Sequence, residues 1–401
     1  MLRINNRLRC YAMNRPRLLK LIIAVMAISL MALARGGQTD TGDEVYPITL
    51  PAGISYDVWN YFIPKENPMT RAKVALGRDL FFDKRLSADG TLSCSTCHDP
   101  RFAFTDGKPV AEGIHGRKGT RSAPSILNAV FNSGQFWDGR VESLEAQATM
   151  PLVNADEMGN AKSDDVAARL QASPEYVRRF QEVFGGPITA DAISKALAAF
   201  ERTLVSGNSP FDRYMAGDRN ALSDSARHGM FLFSGKARCT VCHTFTANFG
   251  AMQSFPFFSD QMYHNTGVAT NDSAYLELSR RATSISREGI SAAALAAFAA
   301  DRNASALGRF TVTGSTLDIG AFKTPSLRDV ELTAPYFHDG SVKTLAEVVK
   351  FYVKGGNPNP NRDWELQAVN LSDQEQADVV EFLKALTSDD TRKIVEEARA
   401  R

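Results

Sequence analysis

Two short motifs in the sequence combine a pair of cysteines with a histidine. They are Cys94-Ser95-Thr96-Cys97-His98 and Cys239-Thr240-Val241-Cys242-His243. In the pattern C-x-x-C-H, both thiols can form thioethers with the vinyl groups of a haem, and the histidine supplies an axial nitrogen to the iron. The spacing therefore predicts two covalently bound c-type haems, with His98 and His243 as iron ligands.

Three other uses of paired cysteines explain the sequence less well. Structural disulfides would not require a histidine after the second cysteine of each pair. A zinc site built from four cysteines would join pairs that lie 145 residues apart, and it also leaves the histidines unexplained. A thioredoxin-like redox motif belongs to a βαβ unit, and the sequence contains no such pattern.

Similar helical patterns precede both motifs and must position them. Lys73–Phe82 and Asp224–Phe233 contain the related pentapeptides GRDLF and GMFLF, and each leads through a loop into the cysteines. A repeat of about 150 residues indicates two similar domains, and convincing β-alternation is absent. The predicted fold is therefore all-α, with two cytochrome c-type haem domains (35–220 and 221–401) and long connecting loops. Further helices are predicted over Asp164–Ala172, Pro174–Phe184, Ala190–Leu204, Ile290–Ala300, Thr344–Val353 and Ser372–Leu386.

The N-terminal segment has the layout of a secretory signal peptide. Six basic residues precede an apolar run, Leu21–Ala34, which ends in the small-residue cleavage site Ala32-Leu33-Ala34. The run has 14 residues, fewer than the about 20 that a membrane-spanning helix needs, so cleavage of residues 1–34 is favoured over an uncleaved anchor. We therefore predict export to the periplasm and no membrane span in the mature chain.

Composition and charge exclude other classes of protein. The 401 residues are 44% hydrophobic and 23% charged, ordinary globular proportions that exclude disordered and multi-span membrane proteins. Residues 1–34 hold six of the 46 basic residues and no acidic one, so the remainder carries 40 basic against 45 acidic residues. A mildly acidic chain of this kind lacks the basic surface that nucleic-acid binding requires.

Five segments in residues 70–387 resemble the bacterial dihaem cytochrome c peroxidase family, which includes the MauG-type enzymes. They are, in order, LGRDLFFDKRLSADGTLSCSTCH, GRKGTRSAPSILN, QFWDGR, GKARCTVCH and FKTPSLRDVELTAPYFHDGSVKTLAEVVKFY. The resemblance implies that the first haem, bound by His98, reacts with hydrogen peroxide. It also implies that the second haem, bound by His243, transfers electrons or stores charge.

The resemblance also assigns roles to residues between the two motifs. Trp137 matches a tryptophan that lies between the haems, where an oxidisable indole can relay single electrons. Gln147, Pro151 and Glu157 match the family's residues on the peroxide side of the first haem. Splitting peroxide moves a proton between its oxygens, so Glu157 is assigned as general acid/base and Gln147 as the group that orients peroxide. Without the resemblance, Trp137 reads as a core residue and Glu157 as a surface carboxylate.

The second haem's distal ligand separates two branches of the family. The peroxidase branch has a methionine 14 residues after the histidine of the PYFHDG-type motif, whereas the MauG branch has a tyrosine. That histidine is His338 here, the fourteenth residue after it is Tyr352, and no methionine follows. A thioether raises the haem potential, whereas a phenolate favours the oxidised iron, so Tyr352 implies a MauG-like second haem. The alternative is an ordinary core tyrosine on one helix face with Leu345 and Val348.

Further sites are implied by the resemblance. His338 would lie against the second haem, in a turn where Thr333 and Pro335 would offer backbone carbonyls to a calcium ion. The family's asparagine ligand for this calcium corresponds to Ser122, a poorer ligand for a hard cation. His115 lies one residue from the position of a histidine that caps the first haem in resting peroxidases, and we favour an uncapped haem.

Three functions follow from these assignments. The favoured one is a periplasmic MauG-like oxidoreductase, in which hydrogen peroxide converts the haems to a high-valent pair that oxidises a protein or another donor. The first alternative is a cytochrome c peroxidase that reduces peroxide to water with electrons from a small cytochrome or cupredoxin. The second is a non-enzymatic dihaem electron carrier, against which Glu157 and Gln147 argue. Residues 271–309 form an insertion-like stretch with an Ala-rich helix, and we hypothesise that a partner docks there.

Overall fold

The structure is a computed structural model that describes residues 44–52, 54–245 and 256–400, and the predicted signal peptide lies outside them. The chain from Val45 onward forms one compact unit that is mainly helical. A short antiparallel pair joins strand β1 (Tyr263–His264) to strand β2 (Phe322–Lys323). The α-helices of the described residues are α1 (Tyr56–Tyr61), α2 (Arg71–Phe82), α3 (Cys94–Cys97), α4 (Leu144–Val153), α5 (Ser163–Gln171), α6 (Pro174–Phe184), α7 (Ala190–Glu201), α8 (Pro210–Met215), α9 (Asp224–Ser234), α10 (Tyr275–Arg287), α11 (Ala292–Ala300), α12 (Phe310–Thr313), α13 (Leu345–Val353), α14 (Asp373–Lys384) and α15 (Asp389–Ala400).

Short 3₁₀-helices complete the regular structure. They are Lys84–Leu86, Pro100–Phe102, Ile114–Gly116, Ala129–Phe131, Cys239–Val241, Val268–Asn271, Arg302–Leu307, Thr316–Asp318 and Val330–Leu332. The longest helix among the described residues, α10, has 13 residues. Across the described ranges, no helix combines the length and the hydrophobicity needed to cross a membrane.

Side-chain caps fix where several helices begin. The hydroxyl of Ser372 accepts a hydrogen bond from the amide of Glu375, whose carboxylate accepts one from the amide of Ser372. Thr344 and Glu347 form the same reciprocal pair at the start of α13. Each pair satisfies two amides that a helix start otherwise leaves without partners. The helices predicted around both cysteine motifs and near the C-terminus are confirmed, with ends that shift by a few residues.

Two glycines explain why the pentapeptides GRDLF and GMFLF resemble each other. A Cβ atom on Gly77 of α2 would lie 1.8 Å from the carbonyl oxygen of Ala196 in α7. A Cβ atom on Gly229 of α9 would lie 1.9 Å from the carbonyl oxygen of Asp378 in α14. At both places the missing side chain lets two helices cross with their backbones in contact, so the repeat in sequence is also a repeat in packing.

Apolar side chains collect in separate clusters around these crossings. The largest cluster uses residues between 54 and 200 together with Phe257, and a second uses residues between 211 and 386. A third lies between residues 269 and 322, where α10, α11 and α12 pack, and Trp137 is packed against it. The domain boundary predicted between residues 220 and 221 stays a prediction.

The irregular segments after the motifs also repeat. In both halves, non-glycine residues take the left-handed backbone conformation at matching places, which such residues seldom adopt. The matching pairs are Phe104 and Phe258, Asn128 and Asp329, and Phe136 and Phe337. The separation of partners grows from 154 residues in the first pair to 201 in the other two. The second half therefore carries extra chain, and residues 271–309 lie within it.

Candidate active site

The first motif opens onto a cavity of about 830 Å³. Cys97 and His98 line this cavity, together with Trp137, Gln147 and Glu157. The last three lie 40 to 60 residues further along the chain, on α4 and the loops beside it. The structure therefore brings together all the residues that the sequence assigned to the peroxide reaction. We call this space the first cavity.

The second motif lines a smaller cavity of about 210 Å³, which we call the second cavity. Its walls include Cys239, Cys242 and His243, and also both residues predicted for the second haem, His338 and Tyr352. Tyr352 lies near the end of α13. Burial raises the pKa of its phenol well above the usual range, and the nearby Cys242 and Cys239 sulfurs act in the same direction.

Both motif histidines are oriented by a backbone carbonyl. Nδ1 of His98 lies 3.2 Å from the carbonyl oxygen of Phe104, and Nδ1 of His243 lies 2.9 Å from that of Phe258. Because a carbonyl oxygen only accepts, each Nδ1 carries the hydrogen and each Nε2 keeps its lone pair for a metal. Burial lowers the pKa of both imidazoles and so favours this neutral form.

No disulfide joins the four motif cysteines. Cys94, Cys97, Cys239 and Cys242 are free thiols, and burial raises the pKa of Cys239 to about 12. Cys97 lines the first cavity, whereas Cys239 and Cys242 line the second, so a single four-cysteine zinc site does not account for both pairs.

A buried lysine provides a further test of whether haem fits these cavities. Lys323 lines both cavities and is 9% exposed, and its Nζ donates to the carbonyl oxygen of Gly134 at 2.9 Å. Within the described ranges, no carboxylate lies at ion-pair distance from this Nζ, and burial lowers the pKa of the amine to about 7. A buried ammonium group requires an anion. The propionates of a haem are carboxylates, so the residues present fit the cofactor.

Glu157 lies in the wall of the first cavity, after the end of α4. The side-chain amide of Asn154 donates to its Oε1 at 2.8 Å. Burial raises the pKa of the Glu157 carboxyl, and the neighbouring Asp156 acts in the same direction, while Arg140 opposes the shift. A carboxyl group with a raised pKa exchanges protons more readily near neutral pH.

The helices α4 and α13 are equivalent in the repeat. Ser143 and Thr344, 201 residues apart, cap them in the same way. With this offset Pro151 corresponds to Tyr352, and Gln147 corresponds to Val348. The first cavity therefore has a proline, which offers no ligand atom, where the second has a phenol.

Trp137 and His338 also occupy equivalent positions, and they meet where the cavities adjoin. Trp137 lines both cavities, and its Nε1 donates to the carbonyl oxygen of Ser122 at 3.0 Å. The ring centroids of Trp137 and His338 are 6.4 Å apart. His338 stacks on Phe322 with a centroid separation of 3.5 Å, and the Arg121 guanidinium lies over the Phe322 ring.

Asp138, the residue after Trp137, forms two buried ion pairs beside this junction. The carboxylate of Asp138, which is 3% exposed, binds Arg121 at 2.6 Å and Arg140 at 3.0 Å. Burial alone would raise the pKa of Asp138, but the two guanidinium groups lower it instead. Arg121 and Arg140 both line the first cavity. Asp138 therefore connects Trp137, its neighbour in the chain, to two arginines in the wall of the first cavity.

The insertion-like stretch reaches the first cavity. Arg302 binds the Asp156 carboxylate at 2.5 Å, and Phe298 and Ser305 line the cavity. The backbone carbonyl of Ser305 accepts from Arg121 at 2.9 Å. This stretch thus forms part of the cavity wall, next to Glu157. Whether a partner also docks there stays a hypothesis.

The remaining predicted sites are placed as follows. Thr333 and Pro335 line the first cavity, and the Ser122 hydroxyl donates to the carbonyl oxygen of Phe337 at 3.1 Å. Calcium stays a prediction. His115 is exposed and lies on the surface, with its Nδ1 3.6 Å from an Asp89 carboxylate oxygen. It is not among the residues that line the first cavity.

Comparisons with known proteins identify the family. The family model for the di-haem cytochrome c peroxidases matches residues 71–220. The methylamine utilization protein MauG of Methylorubrum extorquens is 38% identical over 328 residues, which cover 81% of each chain. The cytochrome-c peroxidase IdrP1 of Pseudomonas sp. strain SCT is 36% identical over 383 residues, or 93% of each chain. The chain belongs to the di-haem cytochrome c peroxidase family.

Solved structures support the same family. A MauG-like protein associated with microbial copper homeostasis is 33% identical, with a TM-score of 0.67 over 86% of this chain and 95% of that one. Membership of the di-haem cytochrome c peroxidase family implies two haem c groups, hydrogen peroxide as the oxidant and a protein or cytochrome as the reaction partner. The chain is therefore a peroxide-using di-haem oxidoreductase.

Several residues of this site were missed in the sequence. Lys323 and Asp138 lie inside the family-like segments FKTPSLRD and QFWDGR, but neither spacing nor residue type shows that both are buried in the wall of the first cavity. Arg302 and Asp156 are 146 residues apart, and each reads as an ordinary surface charge. The sequence does contain one signal of the relation between the two cavities, which is the offset of 201 residues that pairs Pro151 with Tyr352.

Proposed function

We propose that this chain is a MauG-type periplasmic enzyme that uses hydrogen peroxide to oxidise a protein or another electron donor. The observation that carries the proposal is Tyr352, whose phenol lines the same cavity as His243, while the equivalent residue of the first cavity is Pro151. When bound, the two haems supply the iron that reacts with peroxide and the capacity to hold oxidising equivalents. The periplasmic location rests on residues 1–34.

In the first cavity, Glu157 and Gln147 would handle peroxide. The Glu157 carboxylate would accept a proton from one peroxide oxygen and return it to the other, which leaves as water when the O–O bond breaks. This cleavage requires two electrons, which would come from the bound haems. Its raised pKa suits a group that must both take and give a proton. The Gln147 amide can donate to one oxygen and accept from the other, and so hold peroxide in one orientation. Pro151 leaves the space for peroxide open.

In the second cavity, Tyr352 would favour the oxidised state of the cofactor. A buried phenol with a raised pKa stays protonated until a cation replaces its hydrogen, and a bound metal lowers the pKa of its ligands enough for that exchange. The resulting phenolate is an anionic oxygen ligand, which stabilises oxidised iron more than the thioether of methionine does. This supports the storage of oxidising equivalents at the second haem until an electron donor reaches the enzyme.

Trp137 would connect the two cavities. Its indole lines both of them, lies beside the ring of His338 and is fixed by the hydrogen bond to Ser122. An indole can lose and regain one electron, so it can carry single electrons from one site to the other. A second candidate function, peroxide scavenging with electrons from a small cytochrome, is favoured by the similarity to the peroxidase IdrP1.

The test is to add one equivalent of hydrogen peroxide to the as-isolated diferric protein. Optical and electron paramagnetic resonance spectra are recorded without prior reduction. Under the MauG-type proposal, both ferric signals disappear rapidly and together. If the protein reacts only after one haem has been reduced, it is a scavenging peroxidase, and if it reacts in neither state, it is an electron carrier.

A pair of variants assigns the result to Tyr352. Tyr352→Phe removes the phenol oxygen, so the second haem should lose its resting ferric signal and the joint response to peroxide. Tyr336→Phe is the matched control, because Tyr336 lines both cavities and its phenol also has a raised pKa, of about 12. An unchanged second-haem spectrum in Tyr352→Phe would show that this phenol is not a ligand.

A further inference from the structure

Trp364 is an exposed indole on a chain whose other tryptophans are covered. Its side chain is 76% exposed, whereas Trp59 is 4% exposed and Trp137 is packed against an apolar cluster. Tryptophan is among the most buried residue types on average, because its large ring gains more from leaving water than any other side chain does. A fully solvated indole is therefore a feature that packing does not explain.

The residues on either side of Trp364 tie it to the second cavity. Asp363 and Glu365 both line that cavity, so Trp364 lies between two residues of its wall while its indole is exposed to solvent. Asp363 accepts a hydrogen bond from Nδ1 of His264 at 2.5 Å. Glu365 binds Arg238 at 2.9 Å.

The partners of Asp363 and Glu365 lie next to the two cysteines of the second motif. His264 lies close to Cys242, since one ligand atom of each lies within 4.8 Å of the other. Arg238 is the residue directly before Cys239. The loop that carries Trp364 is thus held on both sides against the places where the second haem would be attached. No comparable exposed indole adjoins the first cavity in the part of the chain that the structure describes.

The acidic residues on both sides of Trp364 form ion pairs with basic side chains from other segments of the chain. Asp363 shares His264 with Asp260, whose carboxylate lies 2.9 Å from Nε2 of that ring, and Glu365 is paired with Arg238. Because two carboxylates share one imidazole, this cluster keeps a net negative charge beside the indole. The indole is the uncharged part of this surface, and a partner would contact it through the apolar ring.

We propose that Trp364 is the surface site at which a reduced redox protein, too large to enter either cavity, delivers single electrons to the enzyme. The inference rests on the proposed function, which supplies the oxidant. Trp364 gives one electron to the oxidised cofactor of the second cavity and becomes an indole cation radical. The donor protein then gives one electron to that radical, which restores the indole and oxidises the donor by one electron. Two such transfers and two protons complete the reduction of one peroxide to two waters.

The experiment uses the loaded enzyme with ferrous horse-heart cytochrome c as the donor protein. Three forms are compared: wild type, Trp364→Phe and Tyr61→Phe. Tyr61 is the matched control, since its oxidisable side chain is 70% exposed but lies on α1 and lines neither cavity. The reaction with peroxide is measured first without a donor, and the rate of cytochrome oxidation is measured second.

We expect Trp364→Phe to react with peroxide alone at the wild-type rate but to oxidise ferrous cytochrome c at least about tenfold more slowly. Tyr61→Phe should match the wild type in both measurements. Equal cytochrome oxidation by Trp364→Phe and wild type overturns the inference and leaves the proposed function intact. A wild-type enzyme that does not react with peroxide overturns both.

A second readout detects the radical itself. The enzyme is treated with peroxide and the spin trap 2-methyl-2-nitrosopropane in the absence of donor, then digested and analysed by mass spectrometry. The trap should label the peptide that contains Trp364 and leave the peptide that contains Tyr61 unlabelled. Equal labelling of both peptides would mean that exposure alone determines oxidation, and it would overturn the inference even if the kinetic difference were found.

Discussion

The two cavities share a framework and differ in the side chains that it presents. Each is lined by residues of a C-x-x-C-H motif. The histidine of each motif donates to the backbone carbonyl of a phenylalanine in the left-handed conformation. Each also has a capped helix at the same repeat position, yet α4 presents Gln147 and Pro151 where α13 presents Val348 and Tyr352. A polar group beside an open position suits a small oxidant, whereas an apolar group beside a phenol suits a closed metal site. Under the proposed function, these two positions of one helix separate the roles of the two cavities.

The largest effect is expected from removing the proton carrier of the first cavity. Glu157→Gln keeps the shape of the side chain but cannot accept a proton, so the rate constant for the reaction with peroxide should fall by about 10²–10⁴-fold. Stopped-flow spectroscopy of the diferric enzyme measures this rate. Asp156→Asn is the matched control, because Asp156 also lines the first cavity, and it should change the rate by less than about threefold. A similar loss in both variants would contradict the assignment.

The rate of the same reaction should also depend on pH, and the direction of that dependence tests the role of Glu157. Because Glu157 must be ionised to accept a proton, the rate should fall as the pH is lowered through its pKa. Burial raises that pKa, so the fall should begin at a higher pH than for an ordinary glutamate. Glu157→Gln should lose this dependence. A wild-type rate that rises on acidification would exclude Glu157 as the base.

The next largest effect concerns the junction between the cavities. Asp138→Asn leaves Arg121 and Arg140 without their shared carboxylate, and the free energy of unfolding should fall by about 3–5 kcal/mol. Asp339 is its repeat equivalent and accepts from the amide of Ser341 in the same way. Among the residues that the structure describes, no pair of cations binds Asp339, so Asp339→Asn should lower the free energy of unfolding by less than about 1 kcal/mol. Guanidinium unfolding followed by the haem absorbance measures both.

Acidification should reproduce part of the Asp138→Asn effect. The pKa of Asp138 is lowered in the folded chain, so its contribution to stability is complete above the ordinary pKa of an aspartate. That contribution is lost as the pH falls through the lowered pKa. The stability difference between wild type and Asp138→Asn should therefore shrink in acid, and a difference that persists below this range would argue against the ion pairs as its source.

A smaller effect should be found equally in both halves. Gly77→Ala and Gly229→Ala each place a Cβ atom within 2 Å of a carbonyl oxygen, and each should lower the free energy of unfolding by about 1–3 kcal/mol. Gly186→Ala is the control, since nothing lies within 4 Å of its added Cβ. If only one of the two crossings is sensitive, the halves do not share a packing scheme.

The smallest effect should come from the insertion. Arg302→Ala removes the cation that pairs with Asp156 at the rim of the first cavity. Asp156 would then raise the pKa of Glu157 further, and the midpoint of the pH profile should move up by less than about half a unit. Arg302→Lys should leave the midpoint unchanged. A downward shift in Arg302→Ala would contradict the electrostatic argument.

Local patterns in the sequence were sufficient for much of this structure. The two motifs, the helices around them and the capping box at Ser372 were predictable because each depends on residues close together in the chain. The meeting of Trp137, Gln147 and Glu157 with His98 followed from the family resemblance. Lys323 and Asp138 were not predictable, because their burial depends on segments 170 or more residues away. The sequence also did not predict that residues 271–309 form part of the wall of the first cavity, since Arg302 and Asp156 come together only in the folded chain.

The carbonyl contacts of the two histidines have a consequence for the order of folding. His98 finds its partner Phe104 after six residues of chain, whereas His243 must reach Phe258, fifteen residues away. The entropy lost on closing a loop grows with the logarithm of its length, so the second contact costs about 0.8 kcal/mol more to form. In the exported chain that we propose, the N-terminal motif would also cross the membrane first. The first histidine should therefore be held in its metal-binding orientation while the second half is still unfolded, and the two haems need not be captured with equal ease.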